Sequence, residues 1–231
     1  MNKALKIILT GIVFPALIVL LVWAIVSSIM QPVNFNKQKD MREQVAIQRL
    51  KDIRTLQTEY KSAHGKFAST VDSLKYFYEN GQMVILMQIG SMDDSVAVAH
   101  TAAVKKANRR ITSKDLYDKY LAGDKNLVFT VEQKIPVRDT LFKGREDFNI
   151  DSLKTIPFSG GEPVEMESII RMVSGVKVPL FEAKMPYKLL LKGLDNQLRI
   201  NLDAERRAQN RYEGLQVGSI SAPNNNAGNW E

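Results

Sequence analysis

Three features of this sequence predict an α+β fold in which an N-terminal transmembrane helix continues into a long amphipathic helix, followed by a mostly antiparallel β-sheet head. The run Ile7 to Met30 is charge-free and largely apolar. From about Lys37 to His64, residues Ala46, Leu50, Ile53, Leu56, Tyr60 and Ala63 recur three and four apart among Gln, Lys, Arg and Glu, the period of a helix with one covered face. The second half then turns to strand-like runs separated by Gly, Pro, Asn and Asp.

The first run has 24 residues, enough for about 36 Å of helix against a hydrocarbon core of roughly 30 Å. It is long enough to cross a bilayer once, and Pro15 within it is tolerated better there than in a soluble helix. Secretory signals also begin with basic residues such as Lys3 and Lys6, but a signal's apolar core is about 7 to 15 residues long and ends at a small-x-small site. The run here is longer and ends in Ser28-Ile29-Met30-Gln31-Pro32. An uncleaved signal-anchor is expected, with the lipid bilayer as partner of Ile7 to Met30. Lys3 and Lys6 before the span are matched by Lys37, Lys39 and Arg42 after it, so the positive-inside rule does not orient it. The six-residue head is too short to be a domain. The expected placement is therefore a single-pass anchor with the body exported from the cytoplasm.

Composition narrows the body. The 231-residue chain has no cysteine, so neither disulfides nor thiolate chemistry are available to it. Its formal net charge of +7 includes two lysines of the head, and the remaining basic residues are interspersed with acids. That pattern describes a solvated surface, and nucleic acid is not an expected partner. The expected divisions are 1–32 (head and anchor), 33–80 (amphipathic and short helices), 81–222 (α+β body) and 223–231, an Asn- and Gly-rich tail unable to bury a core.

The amphipathic helix should stop at Gly65, suited to a left-handed C-cap, with Lys61 and His64 in its last turn. Pro32 removes one backbone donor and should kink a continuous rod rather than divide it. The segment Asp52 to Leu74, containing Tyr60 and Gly65-Lys66-Phe67, resembles the helix end and following loop of type II secretion pseudopilins and type IV pilin-like proteins. Members of that family carry a helix-bending proline near the membrane boundary and a tyrosine ahead of a Gly-basic-aromatic turn. The resemblance covers about the first third of the chain and implies a structural subunit of a secretion or trans-envelope assembly in a bacterial inner membrane, with its body in the periplasm. Two features depart from it. Gly11 is approached by Ile7-Ile8-Leu9-Thr10 rather than by a basic leader, and Ala16 stands where the family has Glu. Processing at Gly11 is accordingly not expected, and Met1 to Thr10 should be retained. The run Lys154 to Gly161 and the Asn-rich ending also resemble uncharacterised inner-membrane proteins of Bacteroidota, from which no role follows.

Further along, Ser69 with Asp72 suggests a capping box for a short helix carrying Val71, Leu74 and Phe77 or Tyr78. Asn80-Gly81 turns the chain into Gln82 to Ile89, whose apolar residues on both faces suggest a central strand. Asp93 to Arg110 is ambiguous, and Thr112 or Ser113 should cap a helix through Leu121. Strands are expected at Leu127–Val131, Lys134–Thr140, Val164–Ile170, Val176–Leu180, Tyr187–Lys192 and Leu198–Leu202, with a hairpin loop at Gly193–Asn196. Pro136 and Pro179 place their strands at edges or bulges. Phe142 to Gly161 reads as a polar connector, and Asp203 as the cap of a last helix ending at Gly214.

Reactive constellations are scarce. His64 and His100 lie far apart, no HExxH or phosphate-loop spacing occurs, and Asp93-Asp94 and the pair Glu165 and Glu167 read as surface acids. No catalytic, cofactor or metal residues are assigned, no small-molecule ligand is identified, and the chain is read as a non-enzyme. Two surfaces remain for partners: Ala46 and Leu50, low on the amphipathic helix, for a neighbouring helix; and Arg206, Arg207 and Arg211, with Arg199, for an anionic partner. The expected role is a single-pass, membrane-anchored structural or scaffolding subunit of an envelope assembly. The alternative is a membrane-tethered, extracytoplasmic binding module for a ligand, peptide or envelope polymer.

Overall fold

The computed structural model describes residues 9–231. Lys3, Lys6 and the start of the apolar run lie outside the described residues. A π-helical turn, Leu9–Val13, leads into α1, Phe14–His64, which runs through Pro32 as one helix of 51 residues. The chain is α+β, with the apolar helix followed by two small antiparallel sheets. By contact it divides into two units, one comprising the chain to Arg54, Asp151–Ile169 and Leu180–Glu231, the other Thr55–Ile150 and Ile170–Pro179.

In the first unit, α1 changes character at Phe35. Before it, Ile12, Leu20, Trp23 and Ile29 are 60–69% exposed. From Phe35 onward one face is covered, and Ala46, Leu50 and Ile53 are fully buried. Their cover is the chain's own C-terminal part. The sheet β3 (Glu165–Val173), β4 (Val176–Pro186), β5 (Gly214–Gly218) has β4 in the middle, and Phe181, Ala183 and Met185 alternate along β4 as fully buried residues. The register of β4 with β5 runs from Glu182 opposite Gly218 to Pro186 opposite Gly214. Pro179 therefore lies in the portion of β4 that β5 does not reach, where a missing N–H is tolerated although the strand is central. Polar side chains of α1 finish the packing. Arg42 donates to the carbonyls of Leu190 and Lys192 at 3.1 and 2.9 Å, and Arg49 to those of Ser152 and Thr155, both at 2.7 Å.

Several sequence expectations need correction in this unit. Tyr187–Lys192 is no strand. Tyr187–Leu190 form a helical turn, α6, because Tyr187, Leu190 and Leu191 are the buried set and share the i, i+3, i+4 spacing of a helix face. Leu198–Leu202 likewise belongs to a helix, α7 (Asn196–Ala208), whose N-cap Asp195 accepts from the Leu198 N–H at 2.9 Å; the segment before it is a helix start, not a hairpin loop. Asp203 is consequently interior to α7 rather than its cap. The connector after Phe142 is not merely polar, since it carries the 3₁₀ segment Ile150–Lys154 and buries Leu153, Ile156 and Ser159. Residues 223–231 are tied to the fold. Gly218 N–H donates to the Ala227 carbonyl and Asn229 N–H to that of Gln216, each at 3.0 Å, and Glu231 meets Arg54 at 2.6 Å.

In the second unit, α1 ends at His64, with Gly65 at φ 73° and its N–H on the Lys61 carbonyl, as the sequence implies. The buried Gln57 closes the following loop by exchanging two hydrogen bonds with the Ala68 backbone, at 2.8 and 2.9 Å. Helix α2, Val71–Asn80, is capped by Thr70 rather than by Ser69, and buries Val71, Leu74 and Phe77. Then come β1 (Gln82–Ile89), α3 (Ser95–Ala107), α4 (Ser113–Leu121), β2 (Phe129–Pro136) and a single turn, α5 (Val137–Thr140). Strand β2 unites two runs expected as separate strands. Among the described residues strand β1 pairs only with β2, and it exposes Val84 and Leu86, so it is not central. Leu116, Leu127, Phe129 and Val131 form the small core of this layer, with Met87, Ile89, Val104 and Ile111 packed on it.

Candidate functional site

The residue types that most often carry chemistry are occupied structurally. The His64 ring stacks on Tyr60 with centroids 4.2 Å apart, at the end of α1. His100 Nε2 lies 2.9 Å from an Asp124 carboxylate oxygen at an exposed site. Asp94 caps α3, accepting from the N–H groups of Val96 and Ala97. Ser159 donates to the Ile156 carbonyl at 2.7 Å and accepts from the Glu162 N–H at 2.9 Å, a turn-closing role. Among the described residues no group of three or more His, Cys, Asp or Glu is placed to hold a metal ion.

Two concavities stand out. One, of about 670 Å³ in the second unit, is lined by Tyr60, His64, Tyr76 and Phe77 with Asp72 and Asn80. Its rings are largely engaged with one another, Tyr60 and His64 each meeting Phe77 edge-on at 5.3 and 5.5 Å.

The other, of about 610 Å³, lies along α7 in the first unit and is strongly charged. Lys188, Arg199, Arg207 and Arg211 line it with Asp203, Glu213 and Tyr212. The helical period sets this up: Arg199, Asp203 and Arg207 recur every four residues along one face, and Gly214 begins β5 immediately after Glu213. Arg199 Nη1 pairs with Asp203 Oδ2 at 2.5 Å, and Arg207 forms a two-pronged pair with Glu213 at 2.7 and 2.9 Å. Asp203 Oδ1 is buried and accepts no hydrogen bond. Burial pushes the Asp203 carboxyl above the usual carboxylate range, against the pull of Arg199, while the Arg207 fork holds the Glu213 carboxyl below it. The Tyr212 hydroxyl is pushed up by burial and by the nearby Glu165, Glu182 and Glu213, so it is a neutral donor at ordinary pH.

Of the sequence candidates, the structure brings Arg207 and Arg211 together with Arg199. Arg206 points elsewhere, donating to the Tyr187 hydroxyl at 2.8 Å, which in turn donates to Glu43 on α1 at 2.6 Å. Ala46 and Leu50, expected to meet a partner helix, are fully buried in the chain's own core, because the C-terminal segments reach farther down α1 than a head confined to its upper half would. Lys188, Tyr212 and Glu213 were not among the sequence candidates. Their sequence signal is no more than a charged or aromatic residue within two positions of Pro186 or Gly214, which is too common to single them out.

The remaining feature is the exposed part of α1. An 18-residue window of this helix reaches a mean hydropathy of 2.7, and none of that window is covered by the rest of the chain. Among the described residues, then, an α+β body carries one helix long and apolar enough to cross a membrane. Comparison with family models, with curated proteins and with solved structures returns no match.

Proposed function

We propose that the protein is a single-pass, membrane-anchored structural or scaffolding subunit of an envelope assembly, of the pilin-like secretion or trans-envelope kind, with its body in the periplasm. The observation that carries this reading is the division of one continuous helix: uncovered and apolar before Phe35, core of the protein's own fold after it. Left in water, such an uncovered surface is costly, since each exposed Leu, Ile or Val forgoes about 1.5–3 kcal/mol of burial. A bilayer removes that cost. Support for the pilin-like form comes from the order Pro32, Tyr60, Gly65-Lys66-Phe67, with Gly65 in the left-handed cap and Phe67 buried beyond it.

The first unit begins next to the apolar run rather than at the end of a stalk. Gln31 Nε2 donates to Asp195 at 2.6 Å, only one residue past Met30, so the start of α7 lies beside the end of the apolar run. A scaffold built this way presents its first unit close to the bilayer surface, where other anchored subunits are encountered. Extraction in mild detergent followed by co-purification tests the reading. Stable association with other membrane proteins is expected, and a lone monomer after gentle extraction contradicts the scaffolding role. Export is tested with a reporter fused at Glu231 that works only outside the cytoplasm. Intact mass gives the N-terminus, expected to keep Met1 to Thr10 apart from the initiator residue.

A further inference from the structure

We propose that the outer edge of β1 pairs antiparallel with β1 of a second copy of this chain, about a two-fold axis through Ile85. This goes beyond the anchored-subunit reading, which names no such contact, and does not depend on it.

The edge lacks the usual protection. Strand β1 has 8 residues, and among the described residues it pairs with β2 alone. Edge strands are ordinarily blunted by charge, proline, short length or a covering segment, because their unpaired N–H and C=O groups invite another strand. Other edges of this chain are treated in that way. Strand β2 carries Glu132, Lys134 and Pro136, β3 carries Glu165, Glu167 and Arg171, and β5 is bridged to the C-terminal segment between Val217 and Gly228. Strand β1 contains neither charge nor proline, and its Val84 and Leu86 are 54% and 71% exposed.

The backbone fixes how a second strand can join. The Val137 N–H donates to the Gly81 carbonyl at 3.1 Å, one step beyond the register pair of Gln82 and Pro136. Hydrogen-bonded pairs alternate along an antiparallel ladder, so Met83, Ile85, Met87 and Ile89 exchange bonds with β2. Pro136, which has no N–H, falls opposite Gln82, where none is needed. The N–H and C=O groups of Gln82, Val84, Leu86 and Gln88 therefore face outward, and no partner for them occurs among the described residues. A second β1 satisfies all of them in one register, which sets Gln82 against Gln88 and Val84 against Leu86. Moving the axis from Ile85 to Val84 leaves Gln88 unpaired. Moving it by half a residue sets outward-facing groups against inward-facing ones.

The side chains select the same axis. Gln82-Met83-Val84-Ile85-Leu86-Met87-Gln88 reads nearly alike in both directions, so about Ile85 Gln meets Gln, Met meets Met and Val meets Leu. An isologous two-fold contact requires such self-complementarity, whereas a foreign strand gives no reason for it. Charge agrees with the pairing. On the exposed face Lys134 lies opposite Val84 and Glu132 opposite Leu86. Each central row across the four joined strands then runs Lys134, Val84, and Leu86 and Glu132 of the second copy, with opposite charges at its ends and apolar side chains between. On the other face the half-buried Ile85 meets its own copy at a closely spaced pair. The joined sheet also has the three or more strands that a stable sheet needs, which β1 and β2 alone do not supply.

Oxidative crosslinking of the purified full-length protein in neutral detergent tests the assignment, since the chain has no cysteine of its own. Ile85→Cys brings two Cα atoms to about 4.5 Å across the axis, within the reach of a disulfide, and should give linked dimers. Gln82→Cys is at an exposed position but about 20 Å from its own copy in this register, and should not. Adding Leu86→Lys to Ile85→Cys should cut the yield of linked dimer at least about tenfold and leave the circular dichroism spectrum unchanged. Sedimentation without any cysteine gives a second reading, in which the wild type is a dimer and Leu86→Lys a monomer. Equal linkage through Gln82→Cys, linkage indifferent to Leu86→Lys, or a wild type that sediments as a monomer would overturn the proposal. Absence of linkage through Ile85→Cys together with a wild-type monomer would leave the edge to an extended segment of another protein. Association with other membrane proteins is read separately by co-purification, so failure of the scaffolding role and failure of this contact are distinguishable.

Discussion

Tyr187 shows how single residues hold the first unit together. Its ring is fully buried and its hydroxyl joins Glu43 of α1 to Arg206 of α7. Tyr187→Phe leaves both partners short of a hydrogen bond and should cost about 1–3 kcal/mol, measured by chemical unfolding in detergent. The same residue makes a pH prediction. Burial, then Glu43, raises the hydroxyl's folded-state pKa above the ordinary 10.0. The folded state therefore holds its proton where the unfolded state has lost it. Tyr187's contribution is complete below pH 10 and declines as pH climbs beyond that, so the wild type should lose stability with rising pH above about 10 and Tyr187→Phe should show a shallower decline. An identical alkaline slope in the two proteins would remove the argument. Tyr212, raised in the same sense, contributes to the slope that remains.

Ala46 makes the second prediction at this scale. With no exposed surface, it has no room for a longer or charged side chain. Ala46→Glu should destabilise the body by roughly 3 kcal/mol or more, comparable with Ile53→Asp. A mutant that unfolds at the wild-type midpoint would return Ala46 to the role of an outward contact. The sequence alone could not decide this. Its spacing shows that a stripe is covered but not what covers it.

At the scale of elements, the local signals were legible and the tertiary ones were not. Gly65 as the end of α1, Gln82–Ile89 as a strand and Thr112 as a cap are all set within a few residues of the chain, by a left-handed position, by Gly81 as the extended C-cap of α2 where the sequence suggested an Asn-Gly turn, and by a capping box. Thr112→Ala should cost about 1 kcal/mol, read from unfolding, because Asp115 loses its reciprocal partner. The segment Leu198-Arg199-Ile200-Asn201-Leu202 alternates like a strand, yet Asp195 and the Arg199–Asp203 pair make it a helix, with Leu198 and Leu202 on one side. Period alone does not separate the two over five residues. Composition also misled at 223–231, where Asn and Gly signal a tail although the backbone itself provides the hydrogen bonds. Half of the charged cavity was visible as an arginine cluster, and the rest required the fold that brings Lys188, Tyr212 and Glu213 beside α7. Gly218 marks the β5 junction. At φ 72°, with an added Cβ falling 2.3 Å from the Phe181 carbonyl oxygen, Gly218→Ala should cost about 1–3 kcal/mol. An unchanged midpoint would mean that β5 shifts freely.

For the whole molecule, the central claim is that one helix serves two solvents, lipid before Phe35 and protein after it. Because the chain has no cysteine, single cysteines at Leu20, Gln44 and Ala46 provide a direct measurement with a water-soluble thiol reagent on membranes opened to expose both faces. Gln44→Cys, on the exposed side of α1, should react at once. Ala46→Cys should react only after urea unfolds the body. Leu20→Cys, 63% exposed within the protein itself, should stay unreactive before and after urea and react only when detergent dissolves the bilayer. Reaction at Leu20 in intact bilayers, or at Ala46 in the native protein, would contradict the account.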